Sequence, residues 1–279
     1  MDKKRGIKNV VVSIVFKILI LLGTLLVRRL LISELGDAVN GLNSLYTTVI
    51  GSMSVTELGV GSVITYCMYR PIVEGDDDKV AALYRLFSRL YLIIGGVILV
   101  CGCIFMAFLP YLAKGYAEAD TNLYLSFALM LASILVSYAF SAKSSLINAY
   151  KNNYVTTSIT SVGMLLQQGL QIAVLFTFRS FEIFLACAIV STLFQWVVTE
   201  IVSRREYSAI LKNKQRADAA TRREVSKNVR AIFMHKIGSV LVNTADSVII
   251  SAFIGIVIVG KYSNYTTIMM AMVSVISLF

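Results

Sequence analysis

Three long stretches of this chain carry no charged side chain: 90–113, 121–142 and 152–178. Each exceeds the about 20 apolar residues that a helix needs to cross the hydrocarbon core of a bilayer. Helices are the form such runs must take, because irregular backbone in lipid would leave its N–H and C=O groups unpaired. A shorter uncharged run, 183–199, ends at Glu200, and 262–279 is uncharged to the last residue. Three more segments are apolar apart from isolated ionisable residues: 10–30 with Lys17, Arg28 and Arg29, 40–69 with Glu57, and 231–255 with His235, Lys236 and Asp246. The reading is an all-α, polytopic transmembrane helix bundle of about eight spans.

Composition closes off the other classes. Hydrophobic residues make up 57% of the 279 and charged residues 15%, against about a quarter charged in an ordinary soluble domain. A globule of this size could not hide so much apolar surface, and a disordered chain would not contain it. Cys67, Cys101, Cys103 and Cys187 all fall in apolar stretches and read as small buried hydrophobes. Cys101 and Cys103 have no His or acid beside them, so neither a metal nor a cofactor is expected.

The net charge of +10 would suggest nucleic acid in a soluble protein, but its distribution assigns it to the membrane. With the N-terminus placed in the cytoplasm, the inside segments 1–9, 70–89, 143–153 and 203–236 hold twenty of the 26 Lys and Arg. The outside loops hold only Lys114, Arg179 and Lys261. That asymmetry fixes a cytoplasmic N-terminus and removes nucleic acid as a partner. Lys3-Lys4-Arg5 before an apolar run imitates a signal peptide, but no small-residue cleavage site follows, so the first helix is expected to stay. The Asp76-Asp77-Asp78 run reads as a solvated loop, and 204–228 as a basic connector able to touch anionic headgroups.

The sequence repeats itself. At an offset of 219, positions 8–60 align with 227–279 without a gap, with 13 identities. Among them are Lys17 with Lys236, Gly36 with Gly255, Gly41 with Gly260, Ser44 with Ser263 and Tyr46-Thr47-Thr48 with Tyr265-Thr266-Thr267. Six spans separate equivalent points, so both copies should have the same membrane orientation, as in the parallel repeats of transporters. The division expected is a six-helix bundle at 1–203, a cytoplasmic basic connector at 204–228 and the start of a second, parallel-repeat bundle at 229–279. That second copy stops inside its own second span, so the chain is expected to be C-terminally truncated.

Several motifs carry a family resemblance: Arg28-Arg29-x-Leu31-Ile32-x-x-Leu35-Gly36, Gly41-Leu42-Asn43-Ser44-Leu45-Tyr46, Thr56-Glu57-Leu58-Gly59-Val60-Gly61-Ser62, and His235-Lys236-Ile237-Gly238 with Asp246-Ser247-Val248-Ile249-Ile250-Ser251. They resemble the polysaccharide-type flippases, the Wzx-like O-antigen and teichoic acid branch of the multidrug/oligosaccharidyl-lipid/polysaccharide exporter superfamily. The resemblance implies a multi-pass protein of the bacterial cytoplasmic (inner) membrane, not an enzyme. Its task would be moving an undecaprenyl-pyrophosphate-linked oligosaccharide to the outer leaflet for cell-surface polysaccharide synthesis. Its partners would be membrane lipid, that substrate, and a glycan polymerase or glycosyltransferases. Two rivals stand beside it: a drug or cation antiporter of the same superfamily, and a membrane-bound glycan-assembly enzyme. The antiporter would need more embedded acids than the single Glu57 set against Lys17, Arg28 and Arg29. The enzyme would need an acidic metal pair or phosphate loop, which no motif supplies.

Embedded ionisable residues are the first site candidates, since a charge stranded in lipid costs at least about 2.5–3.5 kcal/mol. On a helix at 100° per residue, Arg28 lies about 20° from Lys17, so both share a face of the first span with Thr24. Lys17, Arg28, Lys236 and Asn243 are the candidates for substrate binding, with snorkelling as the alternative for the lysines. Glu57, Asp246 and Arg29 are candidates for ion pairing or proton coupling. Gln167 and Gln171, with Gln168, form a polar patch that either lines a cavity or bonds helix to helix.

Overall fold

The computed structural model describes residues 3–53, 55–215, 217–219, 221–223, 225–227 and 245–276. Among them there is no strand. The helices are α1 (Lys3–Met53), α2 (Val55–Glu74), α3 (Asp77–Leu112), α4 (Leu123–Ala149), α5 (Asn153–Thr177), α6 (Phe181–Glu206) and α7 (Ser208–Lys212), followed by α8 (Ala245–Ile254) and α9 (Ile256–Ile276). Four of these, α3 to α6, are long and apolar enough to cross a membrane, and they coincide with the uncharged runs of the sequence.

The first two expected spans are joined differently from a loop. Two helical arms meet in α1 at Gly36, which breaks the helix with φ 87° and ψ 172°, a left-handed conformation open to glycine at little cost. The chain doubles back there. Arg28 and Ser44 stand eight residues either side of Gly36, and in one straight helix they would be about 24 Å apart; here the Arg28 guanidinium reaches the Ser44 hydroxyl at 3.4 Å. Arm α1a (residues 3–35) and arm α1b (residues 37–53) are therefore antiparallel neighbours. The repeat-related Gly255 does the same between α8 and α9, with φ 133° and ψ 164°, after a π-turn over Ile250–Ile254.

Two ends of the bundle can be told apart. At the Gly36 end, Glu34 pairs with Arg179 at 2.9 Å, Thr121 donates to Glu182 at 2.6 Å, and the Ile256 amide donates to the Lys114 carbonyl at 2.9 Å. Both glycine turns lie at this end, so the two hairpins point the same way. At the other end, Lys143 pairs with Glu200, Asn152 donates to the Tyr207 hydroxyl at 2.9 Å, and Arg85 donates to the Asn213 carbonyl at 2.8 Å. The aspartate run lies here, and it is not a loop. Asp76 caps α3 by accepting from the Lys79 amide at 3.0 Å, and Asp77 and Asp78 occupy the first turn, where carboxylates oppose the helix dipole favourably.

The core sits where α4 meets α2, α3 and α6. Tyr46 and Phe127 pack edge to face with ring centres 5.3 Å apart, and the Tyr46 hydroxyl donates to the Leu123 carbonyl at 3.1 Å. The outer face of α3 is apolar and exposed through Leu92, Ile93, Val97, Val100, Ile104 and Phe108, the arrangement lipid requires. Cys101 and Cys103 lie on this exposed surface, contrary to the expectation of burial, whereas Cys187 is buried. Their apolar surroundings are those of lipid rather than of a core.

Candidate functional site

A cavity of about 560 Å³ opens between α1, α4, α5 and α6. Its walls are apolar with a polar lining of Thr24, Arg28, Asn43, Thr47, Ser133, Ser137, Gln167, Gln168, Gln171 and Thr192. The size is that of a pocket for a small molecule or a headgroup. Most hydroxyls bond back to their own helix: Thr24 to Ile20, Thr47 to Asn43, Ser133 to Met130, Ser137 to Ile134 and Thr192 to Ala188, each at 2.7–2.8 Å. Their protons are thereby engaged, and they offer lone pairs to whatever enters. Gln168 ties α5 to α1a, donating to the Ile20 carbonyl at 2.9 Å and to Thr24 at 3.0 Å. Gly23 makes this possible, because a Cβ there would run into the Gln168 amide. Gln171 is buried and donates to the Phe184 carbonyl at 3.4 Å. The glutamine patch thus both lines the cavity and bonds between helices.

Arg28 stands at the edge of this cavity and is the hub between the repeats. Its Nε donates to Asn264 at 2.5 Å, Nη1 to Thr267 at 2.6 Å, and Nη2 to Ser44 and Ser263. All four partners are neutral, and among the described residues no carboxylate pairs with it. Ser44 and Ser263 share a hydrogen bond of 2.7 Å. They are equivalent under the 219-residue offset, so this contact lies on a local two-fold axis. The packing around it is reciprocal: a Cβ on Gly41 would strike the Ile256 carbonyl oxygen, and one on Gly260 would strike that of Asp37. Ile256 is the repeat equivalent of Asp37. Asn40 completes the seam, donating to the Gly260 carbonyl at 3.2 Å.

The remaining candidates lie apart from this hub. Lys17 is exposed and stands a turn beyond Ile20, outside the cavity lining. Arg29 is exposed on the other side of α1a. Asp246 is exposed and accepts from the Tyr262 hydroxyl at 3.0 Å. Lys236 and Asn243 lie outside the described residues, as does the side chain of Glu57. Sequence reasoning did not name Ser44, Ser263, Asn264 or Thr267 as partners of Arg28. The repeated Ser-x-Tyr-Thr-Thr pattern was the available signal, since repeat-related polar residues at one height meet on the axis.

The profile of a family described as "Polysaccharide biosynthesis protein" matches residues 7–279. No curated protein sequence matches significantly. One solved structure, of a protein designated protein A, is similar with a TM-score of 0.69 at 15% identity, over 96% of this chain and 61% of that one. At that identity the likeness concerns the fold, and this chain spans somewhat under two thirds of the other's length.

Proposed function

Since the chain belongs to the polysaccharide biosynthesis protein family, the Wzx-like flippases, and is a membrane protein by its apolar helices, we propose that it moves an undecaprenyl-pyrophosphate-linked oligosaccharide across the bacterial inner membrane. The observation that carries this reading is the Arg28 guanidinium at the edge of a cavity with polar groups in its lining, bonded among the described residues to neutral groups. A cation in a low-dielectric site without a carboxylate partner favours an anionic visitor and disfavours a cationic one. The hydroxyl and amide lining suits a glycan, whose many hydroxyls can donate to the waiting lone pairs. The lipid tail would stay outside, against exposed apolar surface like that of α3.

In this reading the Asp76 end faces the cytoplasm and the Gly36 end the outside, following the bias of positive charge. Lys17 and its repeat partner Lys236, with Asn243, extend the cationic track from the cavity towards the cytoplasmic end. Glu57 and Asp246 are the acids assigned to ion pairing or proton coupling, with Arg29 as a pairing base. The protein carries substrate rather than transforming it, beside the glycosyltransferases and polymerase that build and consume the glycan.

Native mass spectrometry of the protein in lipid nanodiscs tests the binding. The pyrophosphate-linked glycan should be retained over undecaprenol, and Gln167→Leu with Gln171→Leu should lower retention roughly tenfold, as expected for a few lost polar contacts. Equal retention of undecaprenol would contradict the reading.

A further inference from the structure

A second cationic site stands at the Asp76 end, remote from the cavity. A small pocket of about 140 Å³ lies between α3 and the segment after α7, lined by Ala82, Arg85, Leu86, Arg89, Ala217 and Arg222. Arg85 and Arg89 are four residues apart on α3, so their side chains project from one face, and like charges so placed repel. Arg222 brings a third positive charge from another segment. Among the described residues no carboxylate forms an ion pair with any of the three. Two described acids of the adjoining segments are engaged: Asp78 accepts from Asn213 at 2.6 Å, and Asp218 accepts from the Thr221 amide at 3.0 Å while its charge acts on Arg222 at a distance.

Two of the guanidiniums are already oriented. Arg85 Nε donates to the Asn213 carbonyl at 2.8 Å, and Arg222 Nε donates to the Asp218 carbonyl at 3.4 Å. Each keeps its two terminal nitrogens for another acceptor, and a fork of that kind matches phosphoryl oxygens. The volume equals roughly five waters, room for one phosphoryl group and not for a disaccharide. Position agrees as well, since the uncharged run of α3 begins at Leu90, directly after Arg89. The pocket therefore lies at the depth where the hydrocarbon of a bilayer gives way to headgroups.

We propose that Arg85, Arg89 and Arg222 form a binding site for a phosphoryl group, carried by an anionic lipid headgroup or by a free phosphate. Binding couples α3 to the basic segment after α7. The site is independent of substrate movement through the cavity and does not rest on that reading.

The test uses the full chain in nanodiscs, with two arms. In the first, phosphatidylglycerol enrichment around the protein is measured in mixed phosphatidylglycerol and phosphatidylcholine discs. In the second, inorganic phosphate is titrated in phosphatidylcholine discs by thermophoresis. The expected result is binding in at least one arm, weakened at least about tenfold by Arg89→Gln with Arg222→Gln and further reduced by added sodium chloride. Binding in the first arm alone assigns a lipid headgroup, and in the second alone a free phosphate. Arg205→Gln, on the exposed end of α6, is the control and should bind as wild type. Binding that Arg89→Gln with Arg222→Gln leaves unchanged, or its absence from both arms, would overturn the proposal.

Discussion

Arg28 shows how a single side chain can matter more for architecture than its sequence neighbourhood suggests. Its four partners come from α1b and α9, and three of them are more than 230 residues away in sequence. Replacing it with alanine would remove four hydrogen bonds from a half-buried seam, while Ser44, Ser263 and Thr267 keep bonds to their own helices. The expected cost is about 2–4 kcal/mol, since hydrogen bonds to a charged group contribute about 1.5–3 kcal/mol each and overlap in their effect. Thermal unfolding in detergent should show a lower midpoint for Arg28→Ala. Arg28→Lys should recover less than half of the loss, because an ammonium cannot reproduce the fork. Equal midpoints for Arg28→Ala and wild type would remove Arg28 from its role as hub. At the opposite end, hydrogen bonding from the Lys79 amide and ammonium holds the Asp76 carboxyl below the usual carboxylate range. A depressed value means stabilisation that is present above the ordinary carboxylate pKa and lost as pH falls through the depressed one. Protection of the Lys79 and Val80 amides, taken relative to their intrinsic exchange rates at each pH, should therefore fall on acidification, whereas in Asp76→Asn, which keeps a capping oxygen, that protection should not change with pH in that window.

At the scale of elements, the two glycine-turned hairpins are the fold's organising device. Gly36 and Gly255 reverse the chain, while Gly41 and Gly260 let α1b and α9 approach until each backbone carbonyl faces the other's missing Cβ. Gly41→Ala and Gly260→Ala should each destabilise by about 1–3 kcal/mol, because a backbone obstacle cannot rotate away. Gly169→Ala, with open space around it on α5, should be neutral or stabilising by about 0.5–1 kcal/mol. A stronger check is covalent. Ser44→Cys with Ser263→Cys should form a disulfide under a membrane-permeant oxidant, while Ser44→Cys with Thr177→Cys should not. Failure of the first pair to cross-link would contradict the parallel placement of the repeats.

The same elements show what the sequence could and could not reveal. Helices α3 to α6 were legible because an uncharged run of span length has few other solutions in a bilayer. The hairpin at Gly36 was only half legible: two spans were expected, but not that a single non-helical residue would turn one into the other. The π-turn before Gly255 left no trace in the periodicity. For Lys17, the helical wheel supplies an angle and no depth, and the residue stands exposed a turn beyond Ile20 of the cavity lining. The partners of Arg28 were hidden by sequence distance, and only the repeat pointed to the axis on which Ser44 and Ser263 meet.

At the scale of the molecule, the parts combine into one arrangement. A cavity opens between α1, α4, α5 and α6, the Arg28 guanidinium stands at its edge with no carboxylate partner among the described residues, and repeat-related helices close against each other at the Gly36 end. Under the proposed function, the hydrogen-bonded seam at the Gly36 end joins the repeats, and export would require that seam to part. The most direct test of this account is the leaflet distribution of the lipid-linked oligosaccharide in cells lacking the gene, read by periplasmic enzyme access to the glycan in spheroplasts. The account predicts that the glycan stays in the inner leaflet, inaccessible, and that the wild-type gene restores access while Arg28→Ala at matched expression does not. Full access in the deleted strain, or full rescue by Arg28→Ala, would contradict it.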